Sequence, residues 1–136
     1  MLELKIITDF AAAHQLKSVA KKCENMHGHN WKIEVCVTGE KTDVTGVLID
    51  FTDLKKYVKE IVERLDHQYL NALDFFDDAF PPSSENVAVY IATQLTRMLS
   101  NHPTVTVLSV TAWESNNAAA TYYPTKQQGH IEGKSE

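Results

Sequence analysis

His27 and His29 stand one residue apart in "ENMHGHNWKIEV", residues 24–35, at the mouth of a stretch that reads as a β-strand. Side chains in a strand alternate faces, so the two imidazoles share a side with Trp31, Ile33, Val35 and Val37. Such a pair is either half of a metal site or a polar entry to a strand. His14 bears on the choice, because it ends an earlier strand-like stretch, residues 2–14. If the two strands pair antiparallel, the end of one lies beside the start of the other, and His14, His27 and His29 converge. Three neutral nitrogen ligands with an open fourth position describe a catalytic zinc site. Such a site polarises a carbonyl or acidifies a bound hydroxyl.

Other reactive side chains cluster around these histidines. Cys23 lies four residues before His27, in a segment that also holds Lys17, Lys21 and Lys22. A thiol near a metal and three lysines has a depressed pKa and suits a base or nucleophile. As a fourth zinc ligand it would instead close the site. The lysines form either a solvated loop or a local cationic patch for a small polyanion. Asp66 and His67 follow a helix and form either a proton-relay pair or a helix C-terminal feature. Glu114 ends an apolar strand, facing solvent or the bottom of a pocket. Of the six histidines, His102 sits in a turn before Pro103 and His130 in a polar tail.

The elements that must position these groups are legible as periodicities. Residues 2–14 and 27–39 alternate as strands, joined by a loop over 15–26. Thr52 is placed to cap a helix over 53–65, whose Leu54, Tyr57, Val58, Ile61, Val62 and Leu65 form one apolar stripe. Pro81-Pro82 closes an irregular stretch, and Ser83 or Ser84 caps a second helix with Glu85 in its first turn. Its stripe is Ala88, Ile91, Ala92, Leu95, Met98 and Leu99. Two more strands, "TVTVLSVTAWE" and "AAATYY", follow Pro103. The order β-β-α-α-β-β predicts an α+β fold, an antiparallel sheet with both helices on one face. Residues 1–123 form one expected domain, and 124–136 a polar, flexible tail.

Composition narrows the classes. The 136 residues are 43% hydrophobic and 23% charged, as in an ordinary globular chain. A formal net charge of −5 argues against nucleic-acid binding, which needs a basic footprint. No apolar run reaches the ~18 residues needed to span a membrane, and the charged N-terminus is no signal peptide. The expectation is a cytoplasmic protein whose two cysteines, Cys23 and Cys36, are reduced, with Cys36 structural.

Taken together, "FAAAH" (10–14), "CENMHGH" (23–29), "GVLIDF" (46–51), "LDHQYLN" (65–71), "PSSEN" (82–86) and "WES" (113–115) resemble the 6-pyruvoyl-tetrahydropterin synthase family. The likeness is strongest to its bacterial branch, the 6-carboxy-tetrahydropterin synthases of queuosine biosynthesis. The motifs stand in family order and reach nearly to Tyr122. The resemblance implies the tunnelling fold: a four-stranded antiparallel sheet with two helices on one face. Trimers close into a barrel and stack as a homohexamer with active sites at subunit interfaces. It implies Zn2+ held by His14, His27 and His29, Cys23 as base, and Asp66 with His67 completing a relay. It implies Glu114 as the anchor of the pterin ring, with Ser83 and Ser84 in the substrate site.

The implied substrate is 7,8-dihydroneopterin triphosphate, which gives Lys17, Lys21 and Lys22 a triphosphate to meet. The queuosine branch releases acetaldehyde and triphosphate. Ser83 and Ser115 stand where the family usually carries Thr, each keeping a hydroxyl. Glu24, directly after Cys23, departs further. Glu-x-x-His-Gly-His resembles a sub-branch that cleaves the side chain to 6-hydroxymethyl-dihydropterin for folate, so the chain resembles a dual type. Glu24 as a solvated loop residue is the plain alternative. Three other functions remain open: 6-pyruvoyl-tetrahydropterin synthesis, a non-catalytic zinc-binding assembly domain, and a zinc-free aldolase of the same fold.

Overall fold

The computed structural model describes residues 1–17 and 26–124, and of His27 the backbone alone. In chain order the elements are β1 (Leu2–His14), β2 (His27–Gly39), α1 (Phe51–Glu63), β3 (Gln68–Tyr69), α2 (Ser84–Met98), β4 (Thr106–Ser115) and β5 (Ala118–Tyr122). Single 3-10 turns cover Leu70–Ala72 and Leu99–Asn101. The strands lie in the order β3-β1-β2-β4-β5. β1 with β2, β2 with β4, and β4 with β5 pair antiparallel. β3 runs parallel to β1 through Ala12 and Ala13. The sheet is therefore mixed and five-stranded, not four-stranded and antiparallel. The added strand has two residues, both exposed, so no hydrophobic alternation marks it.

One face of the sheet carries the core. Trp31, Ile33, Val35 and Val37 are fully buried, as their shared parity requires. They stand opposite Phe10, Thr8, Ile6 and Leu4 of β1. α1 packs against β1, and α2 against α1, β4 and β5. Leu54, Val58, Ile61 and Leu65 point inward from the first helical segment, and Ala88, Ile91 and Leu95 from the second. Burying each large aliphatic side chain contributes roughly 1.5–3 kcal/mol.

The opposite face is polar and open. Ile7 is 56% exposed there. Trp113 donates Nε1–H to Glu34 Oε1 at 3.0 Å, and Lys32 Nζ lies 5.4 Å from its ring centroid. Cys36 is buried on this side, and burial, with Glu3 beside it, pushes its thiol pKa up. It is an unreactive thiol.

α1 begins two residues before the expected position. Asp50, in extended conformation, accepts from Thr52 N at 2.8 Å and is the cap, leaving Thr52 in the first turn. α2 begins as expected, with Ser83 Oγ accepting from Asn86 N at 3.1 Å. No helix among the described residues is long and apolar enough to cross a membrane.

The two faces make a direct expectation for stability. Ile33→Ala, at a fully buried site, should cost about 2–5 kcal/mol. Ile7→Ala, on the open face, should stay within about 0.5 kcal/mol. Urea unfolding of both variants checks this, and equal losses would contradict the assignment of faces.

Candidate metal centre and active site

The β1–β2 ladder brings the histidines together. His14 pairs with His27, and Ala12 with His29. His14 and His29 pack edge to face, their ring centroids 5.0 Å apart. The indole of Trp31 lies beneath both, with centroids 5.0 Å from His14 and 5.7 Å from His29. Trp31 is itself held by Nε1–H donation to the Ala12 carbonyl at 3.4 Å and by stacking on Phe10.

His14 is 1% exposed, and its tautomer is set by its neighbour. Nδ1 lies 2.7 Å from the Pro82 carbonyl oxygen, which can only accept, so Nδ1 carries the proton. Nε2 is left with its lone pair facing the centre, the usual arrangement of a metal-binding imidazole. The backbone just after His14 is clamped as well. Asn71 accepts from Gln15 N at 2.9 Å and donates to the Gln15 carbonyl at 2.8 Å.

Glu114 is the third member. β4 carries an irregularity between Trp113 and Ser115, where its register against β5 shifts. Bulges commonly re-aim a side chain. The Glu114 carboxylate, 35% exposed, sits with Oε1 3.7 Å from His14 Nε2 and Oε2 3.8 Å from His29 Nε2. Those separations are too long for hydrogen bonds. They are close to the roughly 3.4 Å that separates two donors on one tetrahedral zinc with bonds of about 2.05 Å. The donor atoms of His14, His29 and Glu114 all lie within 4.8 Å of one another. Two imidazoles, one of known tautomer, and a carboxylate fit a divalent metal of the zinc class.

"PSSEN" is the scaffold for this centre. The Pro82 carbonyl orients His14, and Ser83 caps α2. Ser84 Oγ donates to Glu114 Oε1 at 3.1 Å. Asn86 Nδ2 ties down the Pro81 carbonyl at 2.7 Å. The roles of the Pro82 carbonyl, Trp31 and Asn71 were not anticipated from sequence. The one available signal was the doubled serine, since only one hydroxyl can cap a helix and the other is left for the site.

Asp66 and His67 form a pair apart from this cluster. Asp66 Oδ1 accepts from Ala11 N at 3.0 Å, and Oδ2 lies 3.0 Å from His67 Nδ1. His67 adopts φ 60°, a left-handed conformation that turns the chain back onto β1. A residue other than glycine held there costs on the order of 1 kcal/mol or more, and such strain gathers at functional positions. The His67 side chain is 81% exposed. With His29, Gly28, Asn30 and Tyr69 it lines an open hollow of about 530 Å³.

Lys17 does not join the histidines. It pairs with Asp78 at 3.4 Å, both side chains exposed, in a cleft of about 1090 Å³ that Asp77 and Glu85 also line. Cys23, Glu24, Lys21 and Lys22 lie outside the described residues, as does the side chain of His27. His102, set aside from sequence, has its Nε2 3.1 Å from the Tyr57 hydroxyl, a structural contact.

A sequence model of 6-pyruvoyl tetrahydropterin synthase matches residues 3–125. The chain belongs to the 6-pyruvoyl tetrahydropterin synthase family. It is an enzyme, a lyase of the pterin-synthase type, and its fold is the tunnelling fold. An Archaeoglobus fulgidus protein provisionally named 6-carboxy-5,6,7,8-tetrahydropterin synthase is 41% identical over 90 residues, covering 66% of this chain and 72% of its own. The dihydroneopterin monophosphate aldolase of Pyrococcus furiosus is 36% identical over 107 residues, covering 79% and 84%. The structure of Caenorhabditis elegans 6-pyruvoyl tetrahydropterin synthase superposes with a TM-score of 0.78 at 30% identity, covering 90% of this chain and 94% of that one.

The Asp66 pair makes a pH-dependent contribution. The Ala11 N–H, and after it His67, hold the Asp66 carboxyl below the usual carboxylate range. Its folded pKa is below its unfolded value of about 3.9, so its stabilisation is full above that value. The contribution is lost as pH falls through the lower folded pKa. Asp66→Asn keeps an acceptor for Ala11 but cannot titrate. Its thermal stability should therefore fall less steeply than the parent's below about pH 4. Identical acid limbs would remove Asp66 from the account.

Proposed function

We propose that the protein is a zinc-dependent lyase acting on 7,8-dihydroneopterin triphosphate. Its main product would be 6-carboxy-5,6,7,8-tetrahydropterin, with acetaldehyde and triphosphate released, which places it in queuosine biosynthesis. The observation that carries this reading is the convergence of His14 and His29 on one centre with Glu114 beside them. His27, paired with His14 across the ladder, is the third imidazole. Bound there, zinc would supply a Lewis acid for the hydroxyls of the substrate side chain.

The residues of the chain divide the remaining work. Glu114 lies at the metal position, 3.7 and 3.8 Å from the imidazole Nε2 atoms, so it cannot also anchor the amino and ring N–H edge of a pterin, and Ser84 orients it. Ser83 supports the site through the helix cap. Cys23 is the base that removes a carbon-bound proton. Asp66 holds His67 as its relay partner, and the exposure of that pair suits service to a neighbouring protomer. β1 pairs with β3 only at Ala12 and Ala13, so most of its outer edge carries no strand among the described residues. An open edge of this kind favours strand pairing between copies, as a homohexamer of two trimers requires. Lys21 and Lys22 are the cations for the triphosphate, while Lys17 already faces Asp78. The enzyme would work in the cytoplasm.

A second reading is favoured by Glu24 and by the aldolase among the relatives. Glu24 would take a proton from a side-chain hydroxyl and start carbon–carbon cleavage to 6-hydroxymethyl-7,8-dihydropterin, a folate precursor. A 6-pyruvoyl-tetrahydropterin product would mean that the terminal carbons are retained.

Mass spectrometry after incubation with 7,8-dihydroneopterin triphosphate separates these outcomes. The parent should release 6-carboxy-tetrahydropterin. Cys23→Ala should keep its zinc, lose that product and still form the hydroxymethyl compound. Glu24→Ala should show the reverse. Loss of zinc in Cys23→Ala would make Cys23 a ligand and overturn its role as base.

A further inference from the structure

The run from Asp66 to Asn71 is fastened along the end of β1. Asp66 Oδ1 accepts from Ala11 N, and His67 N donates to the Ala11 carbonyl at 2.6 Å. Gln68 and Tyr69 pair with Ala12 and Ala13. The Tyr69 hydroxyl donates to Gln15 Oε1 at 3.2 Å. At the far end, the Asn71 amide accepts from Gln15 N and donates to the Gln15 carbonyl. β1 itself ends at His14. The amide that Asn71 receives belongs to the peptide joining His14 to Gln15, so its grip falls directly beside a ligand of the candidate metal centre.

The run is thinly anchored. Its one buried residue is Leu70, and the His67 side chain is 81% exposed. His67 also sits at φ 60°, a conformation that persists only where its surroundings impose it. A segment with few buried apolar contacts opens locally at low free energy. The order of the Asp66–His67 pair therefore depends on the fastenings at its two ends.

We propose that Asn71 couples the metal centre to the Asp66–His67 pair, as a positioning residue through which a metal-loaded His14 steadies the relay. This rests on the proposed metal site and extends it. His14 is held at Nδ1 by the Pro82 carbonyl, and a bound ion would hold it at Nε2 as well. With the ring fixed at both nitrogens, the peptide that follows it is fixed too. Asn71 passes that constraint to the run it closes, and the run is then pinned from Ala11 to Gln15. The coupling is reciprocal, so an ordered run tightens the metal in return. In the proposed assembly the pair serves a neighbouring protomer, and loading of one centre readies the relay of the next.

Hydrogen–deuterium exchange of the full chain, read by mass spectrometry with zinc alone as the probe, tests the coupling without turnover. In the parent, zinc should slow exchange over residues 66–71 by about tenfold. Asn71→Ala should exchange there at one rate with or without zinc, and should hold zinc about tenfold more weakly against a chromophoric chelator. Asn71→Asp keeps the acceptor for Gln15 N and loses the donor. It should recover part of both effects, and it serves alone if the alanine variant does not fold. A merely structural Asn71 would instead speed exchange equally in metal-free and zinc-loaded protein. That result, or a parent whose exchange over 66–71 ignores bound zinc, would overturn the coupling. Failure of the parent to bind zinc, or full zinc occupancy in His29→Ala, would overturn the metal assignment beneath it.

Discussion

The register between the first two strands is the constraint on which the site depends. Because His14 faces His27 and Ala12 faces His29, two imidazoles from distant parts of the chain meet over one indole. A slip of one residue would turn every side chain of one strand to the other face. It would expose Ile33 and Val35 and remove His29 from the centre. The same alternation that buries the core therefore sets the candidate metal site. Its stability is supplied by apolar surface several residues away, not by the imidazoles themselves.

The site is held from three directions that have little to do with one another in sequence. The loop before α2 gives a carbonyl to His14 and a hydroxyl to Glu114. The segment after α1 clamps the backbone beyond His14 and docks Asp66 on Ala11. The end of β4 delivers a carboxylate at a bulge. Each contact is a modest hydrogen bond, worth roughly 0.5–1.5 kcal/mol. Together they fix the centre, which is what precise chemistry on a small flexible side chain needs.

Much of this was legible in the residues. Alternation in 27–37 identified the buried face, and the stripe from Leu54 to Leu65 identified the inner side of α1. His14 beside His27 followed from assuming that the strands pair antiparallel. The rest had physical reasons to stay hidden. Gln68 and Tyr69 form a strand without a buried residue, so no pattern announces it. Asp50 takes the cap because its carboxylate reaches the second backbone N–H of the helix, a competition between neighbouring capping residues that sequence alone does not decide. For Glu114 the sequence left solvent and pocket open, and the structure sets its half-buried carboxylate beside His14 and His29. Lys17 stands 3.4 Å from Asp78, a neighbour distant in sequence and close in space that no sequence pattern announces.

The central claim is that one metal ion sits where the end of β1 meets the start of β2, bound by three imidazoles. Anomalous scattering at the zinc absorption edge, from crystals of the zinc-loaded protein, tests it most directly. The account predicts a single peak per chain with bonds of about 2.0–2.1 Å to nitrogens of His14, His27 and His29. A peak lacking any of those three, or one bonded to the Cys23 sulfur at about 2.3 Å, would contradict it.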